Sequence, residues 1–276
     1  MDSIKVKNFI ILVLLIVNAV LLSVFIADYA RERELENSAV EGAIELLAEN
    51  GISVAGDVDL SQRSLTVLSA SRDTQLEATH VSNVLGETAV TDLGGNILRY
   101  AGERGEANFR GTGSFEMLIY VNDLQDETPL EQARTVAERL GLNTAREPFS
   151  YDIDEDTMDG TLDLVCSVDS AAVVNCRLNF TFAAGNLRMV MGTRVLDNVA
   201  ASSGESALDV PTVLMRFLSL VLERGHICSS LEGLELCYVM SANAAGDGEL
   251  TPVWRIDTDT GSFYINAVTG LEESIT

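Results

Sequence analysis

Between Phe9 and Ala27 run nineteen residues that are apolar apart from Asn18 and Ser23, and this stretch constrains the chain more than any other. At about 1.5 Å per residue a helix of this length covers close to the roughly 30 Å of a bilayer's hydrocarbon core, so the run predicts a transmembrane helix. Lys5 and Lys7 lie on the short tail at 1–8 that precedes it. Basic residues beside a span stay on the cytoplasmic side, which places everything after about Asp28 outside the cell. Arg31 and Arg33 oppose that orientation, but Asp28, Glu32, Glu34 and Glu36 surround them. A cleaved signal peptide is the alternative; its apolar core is about 7 to 15 residues and ends at a small-x-small site, and Phe25-Ile26-Ala27-Asp28-Tyr29-Ala30 offers none. The expectation is a single-pass protein of the cell membrane, with Asn18, Ala19 and Ser23 as candidates for helix contacts within the span.

The chain carries 18 basic and 42 acidic residues, a formal net charge of −24. Such a surface repels nucleic acid and the anionic heads of lipids, and excludes nucleic-acid binding as a function. With 47% hydrophobic residues the part beyond the span can bury globular cores, and its length suggests two domains, at 28–124 and 125–276.

Four cysteines fall into two local pairs, Cys166 with Cys176 and Cys228 with Cys237. The first pair is symmetric about Ala171 between the apolar runs Leu162 to Val168 and Val173 to Phe182; the second flanks Glu232-Gly233. Each brackets a plausible hairpin. In an oxidising compartment such pairs close into structural cystines, each contributing roughly 2 to 3 kcal/mol in the chain-entropy model; unpaired core thiols are the alternative. The spacing required of a zinc site is absent.

Local signals give an order of elements. Leu35, Ala39, Ile44 and Leu47 mark a helix from Ala30 that ends at Asn50-Gly51 and is continuous with the apolar run. Thr74-Gln75-Leu76-Glu77 reads as a capping box opening a helix that stops at Gly86. Strands follow at Ile97 to Ala101, Ala107 to Arg110 and Phe115 to Val121. Thr128, Pro129 and Glu131 then cap a helix that stops at Gly141. Strands at Leu162 to Val168, Val174 to Phe182 and Leu187 to Arg194 precede a helix from about Ala207 to Arg224, and strands at Leu234 to Met240, Pro252 to Asp257 and Ser262 to Ala267 close the chain. The expected class is α+β: an N-terminal transmembrane helix followed by two units, each of an antiparallel sheet with helices. The sequence Thr-Gly-Ser-Phe at 112–115 and again at 260–263 is compatible with duplication, though turn chemistry alone favours those residues.

The closing stretch, Pro252-Val253-Trp254-Arg255-Ile256-Asp257 through Gly261-Ser262-Phe263-Tyr264-Ile265-Asn266-Ala267-Val268-Thr269-Gly270, resembles the terminal hairpin of PepSY-type domains. Together with the anchor, the helical neck and two α+β units, the chain resembles the YycH/YycI family of regulators of a cell-wall sensor histidine kinase, YycI being closer in size. That resemblance implies a non-enzymatic, extracytoplasmic accessory protein of a two-component system. It would bind the sensor histidine kinase in part through membrane helices and work beside a second membrane-anchored accessory regulator. The cysteine pairs and the acidic exterior, in which every basic residue is arginine, depart from the family's pattern.

Signatures of chemistry are sparse. The chain has no GxSxG, GxxxxGK[ST] or HExxH, and its two histidines, His80 and His226, are expected in structural places. No cofactor or resident metal is expected. Asp152, Asp154, Asp156 and Asp163 mimic a calcium loop, but Thr157 stands where a glycine is needed and Asp163 where a bidentate glutamate is needed, so a solvated acidic loop is the better reading. Gly111-Thr112-Gly113 is an isolated GxG at a turn. The single tryptophan, Trp254, is expected to plug a core; an exposed aromatic there would instead suggest a peptide- or glycan-binding groove. A tethered ligand-binding or protease-inhibitory module is therefore the alternative function.

Overall fold

The computed structural model describes residues 3–61 and 64–275; within these, the side chains at 3–13, 15, 16, 19, 24, 26–30, 32, 33, 36, 203, 205 and 206 are not described. In chain order the elements are α1 (Ser3–Glu49), β1 (Ser53–Val54), β2 (Thr66–Ser71), α2 (Thr74–Leu85), β3 (Thr88–Asp92), β4 (Ile97–Gly102), β5 (Gly105–Arg110), β6 (Ser114–Ile119), α3 (Pro129–Arg139), β7 (Ser150–Ile153), β8 (Gly160–Val168), β9 (Ala171–Ala183), β10 (Asn186–Thr193), β11 (Asn198–Ser206), α4 (Val210–Arg224), β12 (Ser230–Ala242), β13 (Asp247–Thr258) and β14 (Gly261–Asn266).

These strands form one mixed sheet of fourteen whose main path runs β11-β2-β13-β12-β9-β10-β6-β5-β4-β3. Its two halves meet where β12 and β9 run parallel through the pair Tyr238 and Val173. Three long strands here change partners along their length. β13 pairs β2 at Asp247 to Leu250 and β14 at Val253 to Thr258, β12 pairs β1 at Ser230 and Leu231 and β9 at Tyr238, and β9 pairs β8 and β10 and touches β12 near its start. The side chain of Asn175 takes the place of a further rung: its Nδ2 donates to Met240 O at 2.7 Å and its Oδ1 accepts from Met240 N at 2.9 Å.

The core divides by face. One cluster packs α2 and α3 against β4 to β6 and β8 to β10, with Tyr100, Phe109, Phe115, Leu162, Phe180 and Tyr238 among its members. The second packs the end of α1 and all of α4 against β12 to β14 through Leu47, Val213, Phe217, Trp254, Ile256 and Ile265. Trp254 is buried as expected, and its Nε1 donates to Leu208 O at 3.0 Å, so the indole's one polar group is satisfied.

Helix ends follow local chemistry with one informative exception. Thr128 and Glu131 form the expected capping box on α3, and α4 opens from Asp209 with Pro211 in its first turn and stops at Gly225 in the left-handed conformation. For α2 the cap is Asp73, not Thr74; its carboxylate accepts from the N–H groups of Gln75 and Leu76, both at 3.0 Å. Glu77, freed from capping, turns into the core.

Three expectations need correction. The expected α+β arrangement, a transmembrane helix followed by two separate sheet-plus-helix units, gives way to a β-rich fold with one continuous sheet. The long β9 carries hydrogen bonding from one half to the other, and the larger core draws on Tyr100 and Phe109 together with Phe180 and Tyr238. The second correction concerns the membrane. Among the described residues no helix is long and apolar enough to cross a membrane, so the membrane-anchored, single-pass location and the transmembrane segment at 9–27 are not supported. Asn18 and Ser23 stand exposed on α1, Ser23 Oγ donating to Val20 O at 2.8 Å, and the side chain of Ala19 lies outside the described residues.

The third correction is to the disulfides. All four cysteines are free thiols. Cys228 packs on the α4 side of the sheet and Cys237 on the opposite side with Val174 and Val253, so the sheet itself separates them. No hairpin forms at Glu232-Gly233; β12 continues through it with a bulge between Leu231 and Gly233. Cys166 and Cys176 do flank a real hairpin, turned at Asp169-Ser170, and both sit in the larger core as small apolar groups, with Cys176 Sγ 4.0 Å from Met240 Sδ.

Candidate binding cleft at the junction of the two half-sheets

Where β9 leaves β12 the sheet opens, and a cleft of about 580 Å³ forms between the outer face of β12 to β14 and the outer face of β8 and β9. Alternation along the strands decides which side chains enter it. Trp254, Ile256 and Ile265 face α4, so Arg255, Asp257 and Tyr264 must face the other way. Cross-strand register then aligns Glu235, Arg255 and Tyr264 in one row, and Asp257 with Ser262 in the next. On the opposite wall Val165 pairs with Arg177, and Ala172 and Val174 form an apolar floor. The connection from Ala145 to Phe149 closes one side, fixed by Phe149 N donating to Asp163 O at 2.8 Å. A neighbouring recess of about 680 Å³ shares Ala145, Ala172 and Glu235 and extends the cleft toward the Asp169-Ser170 turn.

Charge is distributed unequally between the walls. Arg255 lies between two carboxylates, 3.0 Å from Glu235 and 3.1 Å from Asp257, and Ser262 Oγ donates to Asp257 Oδ1 at 2.6 Å. Burial alone would lower the Arg255 pKa, but Asp257 and Glu235 outweigh it and hold the guanidinium charged. That wall therefore carries two negative charges on one positive. Facing it, Arg177 donates from Nε to Val174 O at 3.2 Å and lies over the Phe149 ring, 3.9 Å from guanidinium carbon to ring centroid. Among the described residues it has no carboxylate partner in ion-pair contact, so its two terminal nitrogens are oriented but uncommitted. Glu147 lines the same rim. Burial raises the Tyr264 pKa, keeping its hydroxyl protonated as a donor.

The residues singled out from the sequence lie mostly elsewhere. His80 packs its ring over Gly141, and His226 meets Phe263 edge-on at 5.2 Å after the α4 stop. Asp154 Oδ1 accepts from Asp156 N, Thr157 N and Thr157 Oγ1, which holds its pKa below the usual carboxylate range and commits that oxygen within the acidic loop. Among the described residues no group of three or more His, Cys, Asp or Glu side chains could hold a metal ion. A smaller cavity of about 240 Å³ is lined by His80, Cys166 and Asp197 together. Burial pushes the Cys166 thiol up to about 12, the reverse of what a nucleophilic cysteine requires. The two occurrences of Thr-Gly-Ser-Phe mark the β5–β6 and β13–β14 turns. Arg177, Phe149 and Glu235 carry no functional signal in the sequence, because residues 149, 177, 235 and 255 share a site only through the pairing of distant strands and the docking of the connection before β7.

Comparison with known proteins yields little beyond the fold. No protein-family model matches the chain, and no curated protein matches it. Among solved structures the chain is similar to the crystal structure of an uncharacterized protein from Eubacterium rectale, with a TM-score of 0.51 and 12% identity over 82% of this chain and 90% of that one, a likeness of fold alone.

Proposed function

We propose that the chain is a non-enzymatic binding and regulatory protein, which takes a ligand in the cleft and passes its occupancy on by protein–protein contact. The observation that carries this reading is the position of the cleft at the junction of the two half-sheets. Its walls belong to different halves, and the ladder between β9 and β12 consists of a single residue pair among the described residues. A ligand touching both walls therefore bears on how the halves sit against each other. The lining side chains are held before any ligand arrives, Arg255 by two ion pairs and Arg177 by a backbone bond and an aromatic face, which reduces the entropy lost on binding. The partner implied by the YycH/YycI resemblance is a sensor histidine kinase, acting with a second accessory regulator.

Affinity purification of the full chain, with Ala172→Trp as a variant that fills the cleft, tests both halves of the reading. Recovery of a sensor histidine kinase whose autophosphorylation responds to the wild-type protein and not to the variant is expected. Absence of any such kinase would remove that partner, and an equal response to both proteins would remove the cleft from regulation.

A further inference from the structure

The charge pattern of the cleft narrows the chemistry of what it binds. We infer that its ligand is a short peptide with free termini, the carboxylate received by Arg177 and the ammonium by the Glu235–Asp257 wall. This deepens the binding reading above and rests on it.

Three features lead to that ligand class. Arg177 presents two terminal nitrogens in a fork suited to a carboxylate, already oriented by Val174 O and the Phe149 ring. The facing wall holds Glu235 and Asp257 against one guanidinium, leaving an excess negative charge that an ammonium would balance. Between them Val165, Ala172, Val174 and the ring of Tyr264 form a floor that suits aliphatic side chains and the Cα–H groups of a backbone. A purely anionic ligand would meet Glu147, Glu235 and Asp257, and a purely cationic one would meet Arg177 and Arg255. A zwitterion satisfies both walls, and 580 Å³ lies within the roughly 300–1,000 Å³ of small-ligand sites. Capture of a terminal carboxylate or amine is also an established mode of peptide recognition.

The test uses the full chain, labelled with ¹⁵N, and a pooled set of Ala-X-Ala tripeptides in which X runs through the natural side chains. The same pool is prepared N-acetylated and, separately, C-amidated. Saturable amide shifts are expected at Phe149, Val174, Arg177 and Tyr264 with the free-termini pool. Affinity should drop about tenfold or more for the amidated pool and for Arg177→Gln, and similarly for the acetylated pool and for Asp257→Asn. Arg177 is exposed, so its variant should keep the wild-type spectrum outside the cleft; Ala172→Trp, which fills the cleft, should abolish the shifts. No saturable shift with the free-termini pool, or equal affinity for wild type and Arg177→Gln, overturns the inference. Either result leaves the kinase experiment above to be judged separately, since that experiment reads partner recovery and not peptide affinity.

Discussion

Glu77 and Arg194, 117 positions apart in the chain, meet at 2.6 Å in the interior of the fold, with side chains only 1% and 3% exposed. Arg72 reaches the same carboxylate at 2.6 Å, Tyr100 Oη donates to it at 2.8 Å, and Arg194 is held on its other side by Asp197 at 2.7 Å. The network ties the first turn of α2 to the segment after β10 and to β2, and so joins both halves of the sheet. Two arginines and two carboxylates balance in charge, which is how four ionic groups can be buried together.

Removing the centre of that network should be severe. Glu77→Gln leaves Arg72 and Arg194 buried against a neutral amide, and loss of one partner of a buried pair typically costs about 3–5 kcal/mol. Urea unfolding should show the midpoint falling with little change in slope; a loss below about 1 kcal/mol would mean that water already screens the site.

The cap of α3 offers a smaller, local effect. Thr128 Oγ1 accepts from Glu131 N while Glu131 Oε2 accepts from Thr128 N at 2.9 Å. Thr128→Ala removes one half of this exchange and should cost about 1 kcal/mol by the same unfolding measurement.

Two glycine substitutions should have opposite signs. Gly192 has φ +148°, and a Cβ there would lie 1.9 Å from Arg177 O, so Gly192→Ala must part β9 from β10 and should cost about 3 kcal/mol. Gly42 lies within α1 with nothing within 4 Å of an added Cβ, and Gly42→Ala should stabilise by about 0.5–1 kcal/mol.

Thiol reactivity should separate the cysteines by burial. Cys166, Cys176 and Cys237 are buried, and burial pushes their thiols well above the ordinary range, Cys166 and Cys237 to about 12. Cys228 is part-exposed. A thiol reagent at mildly alkaline pH should label Cys228 in the native protein and all four after denaturation, as read by peptide mass mapping. Native labelling of Cys166 or Cys176 would contradict the packing described above.

Acid should weaken the fold in a definite window. Asp73, Glu131, Asp154 and Asp259 all have lowered pKa values because backbone or side-chain donors bond to the ionised carboxylate. A carboxyl group with a folded pKa below its unfolded value contributes stability that is present above the unfolded pKa, and that is lost as pH falls through the folded one. The melting temperature should therefore hold from neutrality to about pH 5 and fall below about pH 4. A fall beginning near pH 6 would mean that these four carboxylates do not set the acid limit.

What the sequence determined by itself was chemistry closed within a few residues. Thr128 with Glu131, the stop at Asn50-Gly51, a hairpin between Cys166 and Cys176 and the burial of Trp254 each depend on neighbours or on a strand's own alternation, and each was legible. Tertiary structure decided what depended on distant partners. Glu77 reads as a capping residue until Arg194 claims it, and Asp73 then caps in its place. β2 and β11 carry too little apolar alternation to announce themselves, and they exist because Ala70 and Leu68 pair across to Val199 and Ala201. Cys228 and Cys237 are near in sequence yet lie on opposite faces, because β12 runs straight through the glycine that suggested a turn. The cleft is the extreme case: Phe149, Arg177, Glu235 and Arg255 face one another only once β9 has crossed from one half of the sheet to the other, and no periodicity in the chain encodes that crossing.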